Sequence, residues 1–490
     1  MAKITKLDDI VSLCKRRGFI YQSSEIYGGL ASCYDYGPLG AELKRNVRNA
    51  WWKSVVQMRE DVVGLDCSIL MHPMVWKASG HADKFADLVT VCKKCNTRSR
   101  VDHLKDKAQA EQEHTEHISI DAVSAQEHDL SGKVCPSCGA TGQFSKPMAF
   151  KLMFETQMGA NVDDTMTMWL RPETAQGIFA NFRNVLDSTR VKVPFGIAQI
   201  GKSFRNEVTT KAFIFRTREF EQAELEFFCK PGTDEDWYQL WRQQRFDWYL
   251  NLGIKKENLR FREHAADELA HYAKACVDIE YLFPFGSGDW QELEGIANRQ
   301  DFDLRQHQRG MRTMNDWYEK RDVSKLELKA ESEDWVKGPL SYFDEESRER
   351  FVPYVIEPSA GIDRSCLAFL VDAYDEDQIN GEQRNVLRFS PAIAPIKAAV
   401  FPLVKKDGMP EIAEKIYGDL KKVFACFYDQ KGAIGRRYRR QDEAGTPYCI
   451  TVDGQTKEDQ TVTIRRRDSL TQERIHTDQV KGYLRDRLEI

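Results

Sequence analysis

A chain of 490 residues, 41% of them hydrophobic and including 26 Phe, 17 Tyr and 10 Trp, has material for about three packed domains. Its net charge of −5 argues against an indiscriminate polyanion binder, and no apolar run reaches the roughly 18 residues a membrane helix needs. Twelve cysteines spread over this length do not make a disulfide framework, so close cysteine pairs read as metal ligands in a reducing compartment.

The first residues, MAKITKLDDIVSLCKRRGF, lack the apolar core and cleavage site of a signal peptide, and the expected location is cytoplasmic. A loop-like stretch, YGGLASCYDYGPLG (27–40), leads into a helix. Leu39, Leu43, Val47, Ala50, Trp51, Val55 and Met58 fall at helical spacing, with Pro38 near its start. CSILM (67–71) reads as a strand. Residues 92–138 turn polar between two cysteine pairs, CKKC (92–95) and CPSC (135–138). The apolar pattern resumes at FKLMF (150–154), so residues 92–145 read as an insertion in a larger domain. Cys92, Cys95, Cys135 and Cys138 suit a closed tetrahedral Zn²⁺ site, which would be structural. His103, His114, His117 and His128 read as solvated rather than as ligands.

RPETAQGIFANFRNVL (171–186) suggests a loop followed by a helix. Next come two strands of a hairpin. Ala198, Ile200 and Phe204 share one face with Ala223, Leu225 and Phe227 of the partner strand. Gln199, Gly201, Ser203, Arg205 and Glu207 share the other with Phe220, Gln222, Glu224 and Glu226. Glycine and serine at 201 and 203 leave room above that second face. Helices are expected around 235–251 and 257–277, and charged loops over 320–350. A strand YVIE (354–357) then precedes a helix GIDRSCLAFLVDAY (361–374). After SPAIAP (390–395), a β-α-β pattern, a strand pair and a last helix form a separate α/β domain.

The polar face of the hairpin matches the parts of a nucleotide. A guanidinium grips phosphate with two prongs, a carboxylate accepts from an adenine amino group, and a Phe face stacks on the base. The order Arg205, Glu207, Arg216, Phe220, Glu224 resembles motif 2 of class II aminoacyl-tRNA synthetases. Gly361 and Arg364 in PSAGIDRS resemble their motif 3, and the helix 39–58 with the segment through Pro73 suits motif 1. Longer blocks resemble the single-chain, homodimeric glycyl-tRNA synthetases. They are IYGGLASCYDYGPLG (26–40), RPETAQG (171–177), QELEGIANRQDFDL (291–304), VIEPSAGIDR (355–364) and GRRYRRQDEAGTPYC (435–449).

That resemblance implies an α+β chain. A class II antiparallel sheet flanked by helices would occupy residues 1–91 and 146–394, with a zinc-ribbon-like insertion at 92–145 and an α/β anticodon-binding domain at 395–490. It implies glycine, ATP and tRNA(Gly) as substrates, Mg²⁺ on the phosphates, and a homodimer. Arg205 would hold the α-phosphate, Glu207 the adenine, Phe220 would stack on the base, and Arg364 would take the outer phosphates. Asn206, Phe215, Arg216, Glu292, Leu293 and Gly361 would complete the ATP site, with Glu292 or Glu357 toward Mg²⁺. Glu173, Glu224 and Ser359 would line the glycine pocket with Glu357 close by, and Arg100, Phe220, Glu221, Gln222 and Gly361 would also contact substrate. Arg436, Arg437, Arg439 and Arg440 around Tyr438, with Arg465, Arg466 and Arg467, suit single-stranded RNA.

A synthetase-like binding protein without catalysis would not need Arg205, Glu207, Phe220, Glu173 and Arg364 together. A class II enzyme for proline, threonine or histidine would share the motifs, but RPETAQG and EPSAGIDR favour glycine. A zinc-dependent nucleic-acid binder would leave the charged hairpin unexplained.

Overall fold

A computed structural model describes residues 7–101, 104, 129–159, 166–208, 213–270, 273–285, 288–379 and 381–488. The four histidines read above as solvated lie outside the described residues.

The chain opens with helix α1 (Leu7–Arg17) and α2 (Pro38–Trp52), the latter continued by a π-helical turn at Lys53–Gln57. Pro38 sits in the first turn of α2, where a missing N–H costs nothing. Leu43, Val47 and Trp51 of α2 and Val55 beyond it are buried at the expected spacing.

The central sheet contains seven strands: β1 (Val62–Gly64), β5 (Phe195–Phe204), β6 (Glu219–Cys229), β7 (Leu259–Glu263), β8 (Ala275–Phe283), β9 (Asp289–Gln300) and β10 (Tyr354–Gly361). Their order across the sheet is β7-β8-β9-β10-β6-β5-β1. Every pair is antiparallel except β1 with β5. Helices α4 (Asp234–Asn251) and α6 (Ile362–Ala373), together with α2, cover one face and build the main core with Ala223, Leu225, Phe227, Ile279 and Ile296. Helices α3 (Ala175–Thr189) and α5 (Phe302–Arg312) lie on the other face at the end carrying Phe195, Phe228 and Val355.

Two expectations fail here. Among the described residues of 257–277 no α-helix forms: Leu259–Glu263 and the start of Ala275–Phe283 are strands, and along the latter Val277, Ile279, Tyr281 and Phe283 are buried at strand periodicity. CSILM forms no strand. Within it Leu70 makes one isolated bridge to Leu170, and Cys67 is held by side chains instead.

A small three-stranded sheet carries the first cysteine pair. Its strands β2 (Ala86–Val91), β3 (Arg98–Arg100) and β4 (Met148–Lys151) pair in the order β3-β2-β4. A hairpin of β11 (Tyr374–Ile379) and β12 (Glu382–Leu387) follows α6 and leads to the C-terminal unit. There β13 (Ala398–Pro402), α7 (Met409–Leu420), β14 (Cys426–Tyr428), α8 (Ile434–Ala444), β15 (Tyr448–Val452), β16 (Thr461–Arg466), β17 (Gln472–His476) and α9 (Val480–Leu488) form a five-stranded sheet with helices. Its order is β14-β13-β15-β16-β17, with its own core around Val400, Ile450 and Ile464.

Candidate active site

The β5–β6 hairpin divides its faces as the alternation requires. Its polar face is nevertheless not solvated: Gln199, Ser203, Glu224 and Glu226 are all buried. The loop that precedes α3 roofs them. Gln199 donates to Thr174 O and accepts from the Cys67 N–H. The space above Gly201 is taken by Arg171, whose Nε donates to Lys202 O at 2.7 Å and Nη1 to Cys67 O at 2.8 Å. A Cβ on residue 201 would stand 2.1 Å from Arg171 Nη2. The small residue there admits a structural arginine that fastens the roof.

Beyond that roof lies a cleft of about 230 Å³, and its two ends differ in charge. At one end Glu173, Glu224 and Glu357 converge. Glu224 Oε2 accepts from the Thr174 N–H at 2.9 Å and from the Thr174 hydroxyl. Its Oε1 accepts from Gln222 Nε2 at 2.9 Å and Ser359 Oγ at 2.8 Å. Four donors leave this carboxyl no freedom to turn. Burial, then the charge of Glu173, pushes its pKa up, partly offset by Thr174 and Ser359. Burial also raises Glu173, but His81, Arg299 and Arg205 outweigh it and hold Glu173 well below the usual carboxylate range. Glu357 receives two bonds from Arg299 Nη1, at 3.0 and 2.9 Å, while Asp303 holds the rest of the same guanidinium at 2.7 and 2.9 Å. Burial first, with the nearby Glu224 and Glu173 charges, still lifts Glu357 to about 7 against the pull of Arg299.

The other end gathers guanidinium groups. Arg205 donates through Nε to Pro172 O at 3.0 Å and lies over the rings of Phe85 and Phe220 at 5.5 and 5.6 Å. Arg364 donates to Phe215 O and to Glu292 Oε2, each at 3.1 Å, above the Phe215 ring. Burial and the like charges of Arg364 and Arg100 lower the pKa of Arg216. Three cations so close call for an anion. Glu207, Phe220, Leu293 and Gly361 line the space between the ends.

The fold does not bring every expected residue into this cleft. Glu221 follows Phe220 on β6 and therefore points to the opposite face, where it pairs with Lys44 at 3.4 Å and Arg48 at 3.3 Å. Asn206 is outside the lining, its N–H donating to Leu152 O. Arg100 is outside the lining of the cleft; it pairs with the buried Asp87 at 3.3 Å, and its charge acts on Arg216. Conversely, Ile214, Thr217, Arg299 and Asp363 line the cleft without having been singled out. Arg299 stands inside QELEGIANRQDFDL near the end of β9, and Asp303 lies four residues on, in the first turn of α5. Asp363 accepts from Lys44 at 2.8 Å, Tyr36 at 2.6 Å and the Glu221 N–H at 2.7 Å, tying the start of α6 to α2 and β6.

The cysteine pairs come together. Sγ of Cys92 lies 3.7 Å from Cys138, and Sγ of Cys95 lies 3.7 Å from Cys135. All four sulfurs fall within 4.8 Å of one another. A tetrahedron with Zn–S bonds of about 2.3 Å has edges of about 3.8 Å, so this donor set fits the metal.

The basic run of the C-terminal unit behaves differently from expectation. Arg437 is buried and donates to Pro402 O and Leu403 O; Arg465 makes a two-pronged pair with buried Asp442; Arg467 donates to Gly445 O and Phe389 O. Tyr438 bonds Thr451 and packs edge-on to Phe401. These groups cap carbonyls and an acid inside the fold. Arg436 is the exposed member of the run.

A family profile described as "Anticodon binding domain" matches residues 397–487. A glycine–tRNA ligase of Thermobifida fusca is 50% identical, over 99% of this chain and 99% of that protein. One from Caldanaerobacter subterraneus is 51% identical over 99% of each, and one from Borrelia hermsii 50% over 98% of this chain and 97% of the relative. A crystal structure of prolyl-tRNA synthetase from Cryptosporidium parvum, complexed with halofuginone and AMPPNP, aligns with 100% of this chain and 78% of its own at a TM-score of 0.61 and 13% identity. The architecture is thus shared at low identity, and the sequence likeness runs end to end at high identity.

Proposed function

The chain belongs to the glycine–tRNA ligases, and from that premise we propose that the cleft between Glu224 and Arg364 is where it activates glycine with ATP. It is a class II aminoacyl-tRNA synthetase that charges tRNA with glycine. The observation that carries the site reading is the charge division of one cavity, acids at one end and guanidinium groups at the other, with Phe220 between.

Glycine's ammonium sits against Glu224, Glu173 and Glu357. Because four hydrogen bonds fix Glu224, a substrate bearing a Cβ meets a wall that cannot yield. Glycine has no side chain to grip, so exclusion rather than added attraction supplies selectivity. The carboxylate oxygen attacks the α-phosphorus in line. A P–O bond forms, the bond to the bridging oxygen breaks, and pyrophosphate leaves. Arg205 neutralises the charge that shifts at the α-phosphate, Phe220 and Glu207 hold the adenine, and Arg364 with Arg216 takes the outer phosphates. Positioning and electrostatics provide the catalysis. The 3′-hydroxyl of the tRNA end then attacks the glycyl carbonyl and AMP departs. Magnesium, when bound, screens the phosphates. Glu292, exposed at the rim where it pairs with Arg364, fits as its protein contact better than Glu357, which is shielded from solvent and held by Arg299.

The same reading divides the chain into a catalytic domain (1–91 and 146–394), a structural zinc insertion (92–145) and an anticodon-binding domain (395–490), in the cytoplasm where translation proceeds. It also pairs two copies. The exposed Ile26 and Tyr27, 87% accessible each, supply apolar surface for that contact. Pyrophosphate exchange measured with each of the twenty amino acids tests the site. Exchange with glycine alone is expected, and equal exchange with alanine or proline would overturn it.

A further inference from the structure

Two residues beyond Glu224, on the same face of β6, stands Glu226, with 0% of its surface exposed. Neither of its carboxyl oxygens has a hydrogen-bond partner among the described residues. The register of β6 with β10, Glu224 opposite Ser359 and Phe227 opposite Ile356, sets Glu226 across from Glu357. The charged groups that face it are Glu357 from β10, Arg299 from β9, Glu224 from β6 itself and Asp303 from α5. Arg299 is the single cation among them, and Glu357 and Asp303 already occupy it. An ionised carboxylate without hydrogen bonds in such surroundings is so costly that the group takes a proton instead.

We infer that Glu226 is a positioning residue that stays a neutral carboxylic acid throughout glycine activation, its O–H being the donor available to Glu357 when that acid ionises against the substrate ammonium. The inference rests on the cleft being the glycine site. Burial, followed by the charge of Glu357, drives the Glu226 pKa well above the ordinary range, in keeping with this state.

The test uses the full-length protein. Infrared difference spectra between the wild type and Glu226→Gln should contain the carbonyl stretch of a protonated carboxyl group, lost in the variant and persisting in the wild type above neutral pH. Glutamine is the isostere of the neutral acid and also donates, so the KM for glycine in pyrophosphate exchange should change by no more than about tenfold, with an unaltered pH profile. Glu226→Leu keeps the volume but cannot donate, and should raise that KM more below neutrality than above it. Absence of the carboxylic-acid band, or a glutamine variant as impaired as the leucine one, would overturn the inference. If glycine fails to bind while the band is present, the cleft assignment falls and with it the role toward glycine, leaving only the buried acid.

Discussion

Among the described residues Arg205 makes one hydrogen bond, from Nε to Pro172 O, and its two terminal nitrogens have no partner there. Removing a positioned donor from developing charge typically costs about 10²–10³ in rate. Arg205→Ala should lose that much in glycine-dependent pyrophosphate exchange, and Arg205→Lys should recover only part, because a point charge lacks the two-pronged fit. Near-wild-type exchange by the alanine variant would remove Arg205 from the chemistry. Glu357 sets a pH dependence. Its pKa is raised to about 7, so its charged form, the one that attracts an ammonium, is scarce at lower pH. The KM for glycine should therefore fall as pH rises through about 7 and then level off, and Glu357→Gln should flatten that profile. A wild-type KM constant across this window would contradict the assignment. His307 shows that an ionisable group in this region can be purely architectural. It is buried, its pKa is lowered by that burial to about 4, and it bonds Gln176 beneath α3.

Among the elements, β5 depends on what a glycine leaves out. Gly201→Ala sets a methyl group 2.1 Å from the buried Arg171 guanidinium, which two carbonyls hold in place. Overpacking of this kind costs about 1–3 kcal/mol, to be read as a lowered denaturation midpoint, and an unchanged midpoint would show that the roof is soft. The cysteine knuckles offer a second case. Cys92 and Cys135 are buried, Cys95 is exposed, and a tiny cluster of Leu104, Phe144 and the cysteines is the local core. So small a core needs the metal's contribution. Metal analysis should find about one zinc per chain. Cys92→Ser and Cys135→Ser should each abolish it; retention of zinc by both variants would exclude the site.

At the scale of the whole molecule, Arg384 of β12 reaches from the catalytic unit to Asp442 and Arg467 O in the C-terminal unit, with Arg384 1% exposed and Asp442 0%. Asp442 also binds Arg465. Asp442→Ala would strand the buried Arg465 and take one partner from Arg384, which keeps its pair with Asp377. Breaking a buried pair this way costs about 3–5 kcal/mol, and the C-terminal unit should unfold at lower denaturant than the rest, visible as a second transition. A single cooperative transition at the wild-type position would contradict that. The same contacts explain why the arginine run misled. Charge was legible, but whether an arginine faces RNA or caps carbonyls depends on which strand ends lie near it. By itself the sequence determined the hairpin with its two faces, the cysteine pairs, the long helices and the blocks shared with the family, because these rest on periodicity and on neighbours close along the chain. Only the tertiary structure decided that Arg171 fills the space over Gly201, that Arg299 binds Glu357, and that Glu221 meets Lys44 and Arg48. Each of those outcomes depends on a partner brought from far along the chain, and desolvation rather than residue type then sets which acids keep their protons.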